Sequence, residues 1–209
     1  METYTHPVTG EERNYVPFEE LSPGDLERVT SEEAADRWAA AKAGLGLDRL
    51  VSDPSWCVRA AVARQGYGLD VLVGDNEGDI RLLVAKQGYG LDALAHDRDW
   101  RVRKAVADHG HALDYLIDDV TPSVRASVAC QGFGLDVLVY DEDWEVRRAV
   151  AQQGYGLDRL IKDRDSLVSF AAEERLYATG MSLSRWREAY PERCASGQAG
   201  RREQYALAL

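Results

Sequence analysis

From Gly44 the chain repeats itself with a period of 22 residues. The second unit reads GYGLDVLVGDNEGDIRLLVAKQ, the third GYGLDALAHDRDWRVRKAVADH and the fifth GFGLDVLVYDEDWEVRRAVAQQ. The sixth, from Gly154, keeps the opening GYGLDRLIKD and drifts after Asp165. A unit this short cannot bury its apolar residues alone. Stacked copies can, so the period itself predicts a repeat stack.

Each unit holds two helical pieces. Asp53 followed by Pro54 reads as an N-cap with proline at the first helical position, and Gly66 as the left-handed residue that stops the helix. Val58, Ala61, Val62 and Gln65 share one face at helical spacing. These signals predict long helices near 55–65, 77–87, 99–109, 121–131 and 143–153. The shorter piece, LDxLV, has room for a 3₁₀ turn or a short α-helix. Ala63, Ala85, Ala107, Ala129 and Ala151 recur at one angular position, where a small side chain lets neighbouring helices approach closely. The fold class expected is all-α, an α-solenoid of two-helix repeats, with no alternating run long enough for a strand within the units.

The ends differ from the units. Residues 1–30 form an acidic N-terminal arm, extended or hairpin-like, placed to cover the first repeat. Residues 31–175 form the solenoid, opened by TSEEAADRWAAAKAG as a first long helix with Thr30 and Glu33 at capping-box spacing. Residues 176–209 form a capping helix, SLSRWREAY, and a tail with little pattern.

The net charge of −11 sets the chain against a phosphate backbone, so nucleic acid is disfavoured as a partner. No apolar run is long enough to span a membrane. METYTHPVTGEERNY has neither the basic nor the apolar region of a signal peptide. Cys57, Cys130 and Cys194 are far apart and odd in number, which suits a reducing compartment. The expectation is a cytoplasmic chain.

The unit D-x-x-W-x-V-R-x-A-V-A-x-Q-G-x-G-L-D-x-L-x-x resembles the leucine-rich repeat variant family, and more distantly the HEAT-like repeats. The shared features are the V-R-x-x-V-A core, the turn after it, the L-x-x-L and the Asp opening the next unit, over residues 31–175. The resemblance implies a right-handed solenoid of alternating long and short helices, used mostly as an interaction scaffold, although some HEAT-like proteins are DNA-repair glycosylases or chromophore lyases. The turn here is Q-G-Y-G where the variant repeats usually have Asn-Pro, and the unit is slightly shorter. One family member carries a cysteine-bound iron–sulfur cluster; no cluster-spaced cysteines occur here, so that feature is not carried over.

Three sets of residues could carry chemistry. The arginines Arg37, Arg59, Arg81, Arg103, Arg125 and Arg147 could bind phosphates or acidic peptides. Needed in every unit, they are better read as stacking residues paired with the aspartates Asp53, Asp75, Asp97, Asp119, Asp141 and Asp163. The turn aromatics Tyr67, Tyr89, Phe133 and Tyr155, with His111, could stack on ligands but read better as a hydrophobic spine. Trp56, Trp100 and Trp144 recur in only three units. They read as spacers between neighbouring helices, and as better binding candidates than the tyrosines. His96, His109 and His111 lack a metal-ligand spacing. No nucleophile–base pair or phosphate loop is present, so no catalytic residue, metal ligand or cofactor is assigned.

Positions that vary between near-identical units are free for partner choice. They predict a binding patch of Trp100, Arg101, Tyr115, Tyr140 and Trp144, types enriched at hot spots. The expected function is a non-catalytic protein- or peptide-binding scaffold. The alternatives are a nucleic-acid-linked role, as a DNA-modifying enzyme or an acidic decoy, and a purely structural protein.

Overall fold

The computed structural model describes residues 2–194, so 195–209 of the expected tail lie outside the described residues. The chain divides into two compact units, Met1–His109 and Gly110–Leu209.

The first unit opens with a hairpin, β1 (Glu2–Thr5) and β2 (Glu12–Tyr15), antiparallel with Glu2 opposite Tyr15. A 3₁₀ turn (Phe18–Glu20) leads to α1 (Pro23–Thr30). Long helices α2 (Ala34–Lys42), α4 (Trp56–Gln65), α6 (Gly78–Lys86) and α8 (Trp100–Asp108) then alternate with one-turn helices α3 (Leu47–Leu50), α5 (Leu69–Leu72) and α7 (Leu91–Leu94). Each long helix packs on the next, in the series α2, α4, α6, α8.

The second unit continues the alternation. Its short helices are α9 (Leu113–Leu116), α11 (Leu135–Leu138) and α13 (Leu157–Leu160). Its long ones are α10 (Pro122–Cys130), α12 (Trp144–Gln152) and α14 (Ser166–Ala178), again packed in series. The helix α15 (Leu183–Ala189) and a 3₁₀ turn (Pro191–Arg193) close the described chain.

The described chain is mostly helical, with repeating contacts between adjacent helices. The long helices fall within a residue or two of their expected bounds. The short pieces are single α-turns, not 3₁₀ turns. Val58, Val102, Val124 and Val146 are fully buried, as are Ala63, Ala85, Ala107, Ala129 and Ala151. Among the described residues the one sheet is the hairpin, which lies in the arm outside the repeats.

Two capping expectations are corrected. The recurring Asp is not the N-cap of the long helix. The cap stands two residues later, at Ser55, Glu77, Asp99, Thr121, Asp143 and Asp165. Asp53 Oδ1 instead accepts the Ser55 N–H, closing the turn that precedes the helix. Thr30 does not cap α2, because it ends α1 and its hydroxyl donates to the Leu26 carbonyl. That helix was missed in the arm, although Ser22-Pro23 signals it: the Ser22 hydroxyl accepts the Asp25 N–H.

The arm covers the first repeats through specific contacts. Val16 bridges the first turn, its N–H donating to the Gly44 carbonyl at 2.9 Å and its own carbonyl accepting the Gly46 N–H at 2.8 Å. The Tyr4 hydroxyl donates to the Gln65 carbonyl. The rings of Tyr4 and Tyr15 pack against Tyr67 at 5.2 and 5.1 Å. Gly66, at φ +80°, has no room for a Cβ, which would overlap the His6 ring. At the other end Gly156, five periods after Gly46, donates its N–H to the Arg193 carbonyl at 2.7 Å. The first and last turns are thus tied down by the same kind of backbone bond from a non-repeat segment.

Candidate binding surface

The arginine ladder is built into the stack. Arg81 donates through Nε to Asp97 Oδ2 at 2.6 Å and through Nη2 to Asp97 Oδ1 at 2.9 Å. Its Nη1 reaches back to the Asp75 carbonyl at 2.8 Å and the Asn76 carbonyl at 3.1 Å. The same fork joins Arg37 to Asp53, Arg59 to Asp75, Arg125 to Asp141 and Arg147 to Asp163. Arg103 reaches the Asp97 carbonyl at 2.7 Å. Asp53, Asp75, Asp97 and Asp141 therefore each receive one arginine at the carboxylate and the next at the carbonyl. Arg81 and Arg147 are buried. A planar guanidinium suits this fork, and a lysine would not.

The electrostatics follow. Arg147's hydrogen bonds hold the Asp163 carboxyl below the usual carboxylate range, against the upward push of burial. Burial also pushes Asp75 and Asp97 upward. The guanidinium bonds, the backbone N–H two residues on and the neighbouring arginine charge outweigh it, and both sit low.

A second ladder escaped the sequence reading. Gln65 donates its side-chain amide to the Lys42 carbonyl, Gln87 to the Ala63 carbonyl at 2.8 Å and Gln153 to the Cys130 carbonyl. His109 Nε2 sits 3.1 Å from the Lys86 carbonyl, the same place in its unit. The Gln before the turn glycine in four units was the available signal.

With these ladders committed, the variable rows remain. Trp100 and Trp144 are 43% and 39% exposed, and Tyr115 and Tyr140 are 54% and 42% exposed. Trp56 is exposed as well. The tryptophans are not buried spacers, because the first residue of each long helix points away from the valine face. Arg101 is exposed and ion-paired with Asp99 at 2.7 Å and Asp79 at 2.9 Å. Trp100 and Arg101 belong to the unit Met1–His109, and Tyr115, Tyr140 and Trp144 to the unit Gly110–Leu209. The turn aromatics are half-buried.

No protein-family model matches this chain, and the search of curated proteins finds no match.

Two clefts lie on the second unit. The larger, about 560 Å³, lies between Tyr140 and the α13 end, with Arg159, Lys162 and Arg164 in its wall. The Arg159 guanidinium lies 4.6 Å over the Tyr140 ring. The smaller, about 340 Å³, includes Trp144 and shares Glu142, Arg147 and Arg164 with the first.

Among the described residues, no three His, Cys, Asp or Glu side chains come together as a metal site. His6, which the sequence reading passed over, is buried. Its Nδ1 accepts the Val8 and Thr9 N–H groups, and Nε2 meets Gln87 Oε1 at 3.1 Å, so it holds the hairpin turn on the stack. Cys57 is half-buried beside the Ser55 hydroxyl at 3.0 Å, Cys130 is exposed and Cys194 buried.

Proposed function

We propose that this chain is a non-catalytic protein- or peptide-binding scaffold, a right-handed α-solenoid of the leucine-rich repeat variant or HEAT-like kind working in the cytoplasm. The observation that carries the reading is the division of labour between the recurring and the variable rows of the repeat. The repeated arginines Arg37, Arg59, Arg81, Arg125 and Arg147 are taken up by the recurring aspartates. The aromatics at variable positions stand exposed at Trp100, Tyr115, Tyr140 and Trp144. A large aromatic side chain left in water costs free energy that a partner recovers on binding. No α-helix among the described residues is long and apolar enough to cross a membrane.

The test is capture of a partner by the full chain carrying a photo-crosslinking residue at Tyr115, followed by Trp100→Ala/Tyr115→Ala. The reading expects capture to be lost while the melting curve stays that of the wild type. A partner held equally by the variant would remove these residues from the binding surface.

A further inference from the structure

We propose that two turns of the second unit, Gly110–Ala112 and Gln131–Phe133, form a docking site for an extended partner segment with the chemistry of the N-terminal arm, a Tyr-x-His peptide. The inference rests on the scaffold reading and adds the place and the chemistry of the partner.

The arm shows what this row of turns holds in the first unit. Val16 exchanges main-chain bonds with Gly44 and Gly46. Tyr4 and Arg13 donate to the Gln65 carbonyl, and the Tyr4 ring meets Tyr67 edge-on. The His6 ring lies over Gly66. Its Nδ1 accepts the Val8 and Thr9 N–H groups, so Nε2 carries the proton and donates to Gln87 Oε1 at 3.1 Å.

Three periods on, the same footprint recurs. Gln131, Gly132 and Gln153 stand at the places of Gln65, Gly66 and Gln87, and Phe133 at that of Tyr67. A shift of one or two periods loses the match, because His109 then falls on a glutamine place. The backbone follows the sequence. Gly46 has φ +57° and ψ +36°, and Ala112 φ +50° and ψ +35°. The Gly110 carbonyl and the Ala112 N–H are the counterparts of the groups that bond Val16. Neither has a hydrogen-bond partner among the described residues.

The two footprints differ in cover. Gly44 and Gly66 are buried, whereas Gly110 and Gly132 are exposed. A Cβ on Gly66 would overlap the His6 ring, while one on Gly132 meets nothing within 4 Å. The place that His6 fills is therefore open in the second unit. Gln153 gives an amide N–H to the Cys130 carbonyl, and its Oε1 has no partner among the described residues. The site ends at Gly154, where Arg175 lies against the turn as Val8 does at Gly88.

These groups select a peptide. One acceptor and one donor, spaced for a single extended residue, are what a main chain answers. A phosphate backbone brings acceptors alone. A ring N–H is required at Gln153 Oε1, and the histidine that supplies it in the arm stands two residues after the tyrosine of the Gln65 turn.

The experiment adds the peptide of residues 2–16 to the isotope-labelled full chain and follows the amide shifts. The arm already on the first unit is held there at a high effective concentration, so the added peptide meets the second unit. Saturable shifts are expected at Gly110, Ala112, Gly132 and Gln153. Affinity should fall about tenfold with His6→Ala in the peptide and stay level with Thr3→Ala, whose counterpart in the arm is exposed. Both substitutions are in the peptide, so the fold of the chain does not enter the comparison. No saturable shift, equal binding of the His6→Ala peptide, or shifts confined to Gly44, Gly66 and Gln87 would overturn the proposal. So would concentration-dependent shifts of the second-unit amides in the chain alone, which would give the site to the arm of a second copy. If the peptide fails while the Tyr115 crosslink still captures a partner, the footprint falls and the scaffold stands. If the peptide binds as expected and no Trp100- and Tyr115-dependent partner exists, the footprint stands and the aromatic patch falls.

Discussion

The Arg81 side chain meets the Asp97 carboxylate with two parallel N–H···O bonds, 2.6 and 2.9 Å long. Both side chains expose less than a tenth of their surface. The pair joins one repeat to the next, and Arg81 also ties the Asp75 and Asn76 carbonyls in its own repeat. Because the Asp97 carbonyl accepts from Arg103, the bonds form a relay along the first unit. In the second unit Arg125, Asp141, Arg147 and Asp163 repeat it.

The relay predicts an acid transition. Asp75, Asp97 and Asp163 have folded-state carboxyls below their ordinary range. A depressed carboxyl stabilises the fold above its unfolded value of about 3.9, and that share is lost as pH falls through the lower folded value. The urea midpoint should stay level from neutral pH to about 5 and drop steeply below about 4. A midpoint level to about pH 2 would contradict the account.

Gly66 and Gly132 separate backbone strain from arm docking. Both sit at positive φ, +80° and +77°. A Cβ on Gly66 overlaps the His6 ring, whereas one on Gly132 meets nothing within 4 Å. Gly132→Ala should cost about 1–2 kcal/mol of strain alone. Gly66→Ala should cost at least about 1 kcal/mol more and speed amide exchange in the hairpin. Equal costs and an unchanged hairpin would show that the arm does not depend on this contact.

Ala112 is the one non-glycine residue at positive φ among the described residues, at +50°. It stands where the other units have glycine. Ala112→Gly should therefore stabilise the chain by roughly 0.5–1 kcal/mol, the relieved strain exceeding the added chain entropy. A lower melting temperature would refute this.

The repeat stops where its stacking residues change. Ala129 is fully buried where α10 meets α12, while two units later Glu173 stands exposed at the same position. Ser169 likewise replaces the ladder arginine. Ala129→Glu should cost at least about 3 kcal/mol, and Glu173→Ala less than about 0.5 kcal/mol. Comparable effects in denaturant unfolding would show that position does not set the end of the stack.

The period, the helix bounds and the Arg–Asp pairing were legible because each is written several times over. The alanine row announced close helix contacts for the same reason. What occurs once was harder to read. The hairpin and α1 depend on side chains meeting a stack that exists only after folding, as His6 does at Gly66 and Gln87. The Asp was misread as an N-cap because an Asp two residues too early has the same Asp-Pro signature at Asp53-Pro54. The aromatics and Arg101 of the candidate patch could be chosen by their variability, but the groove around Arg159 needed coordinates.

The central claim is that the repeated arginines hold the stack and do not bind a ligand. A double-mutant cycle on Arg81 and Asp97, by urea unfolding, tests it most directly. Arg81→Ala should cost about 3–5 kcal/mol, because it leaves a buried carboxylate without its partner. The exposed control Arg101→Ala should cost about 1 kcal/mol or less. The coupling between Arg81 and Asp97 should be about 1.5–3 kcal/mol. A coupling near zero, with Arg81→Ala unfolding like the wild type, would contradict the account and return the ladder to the list of binding residues.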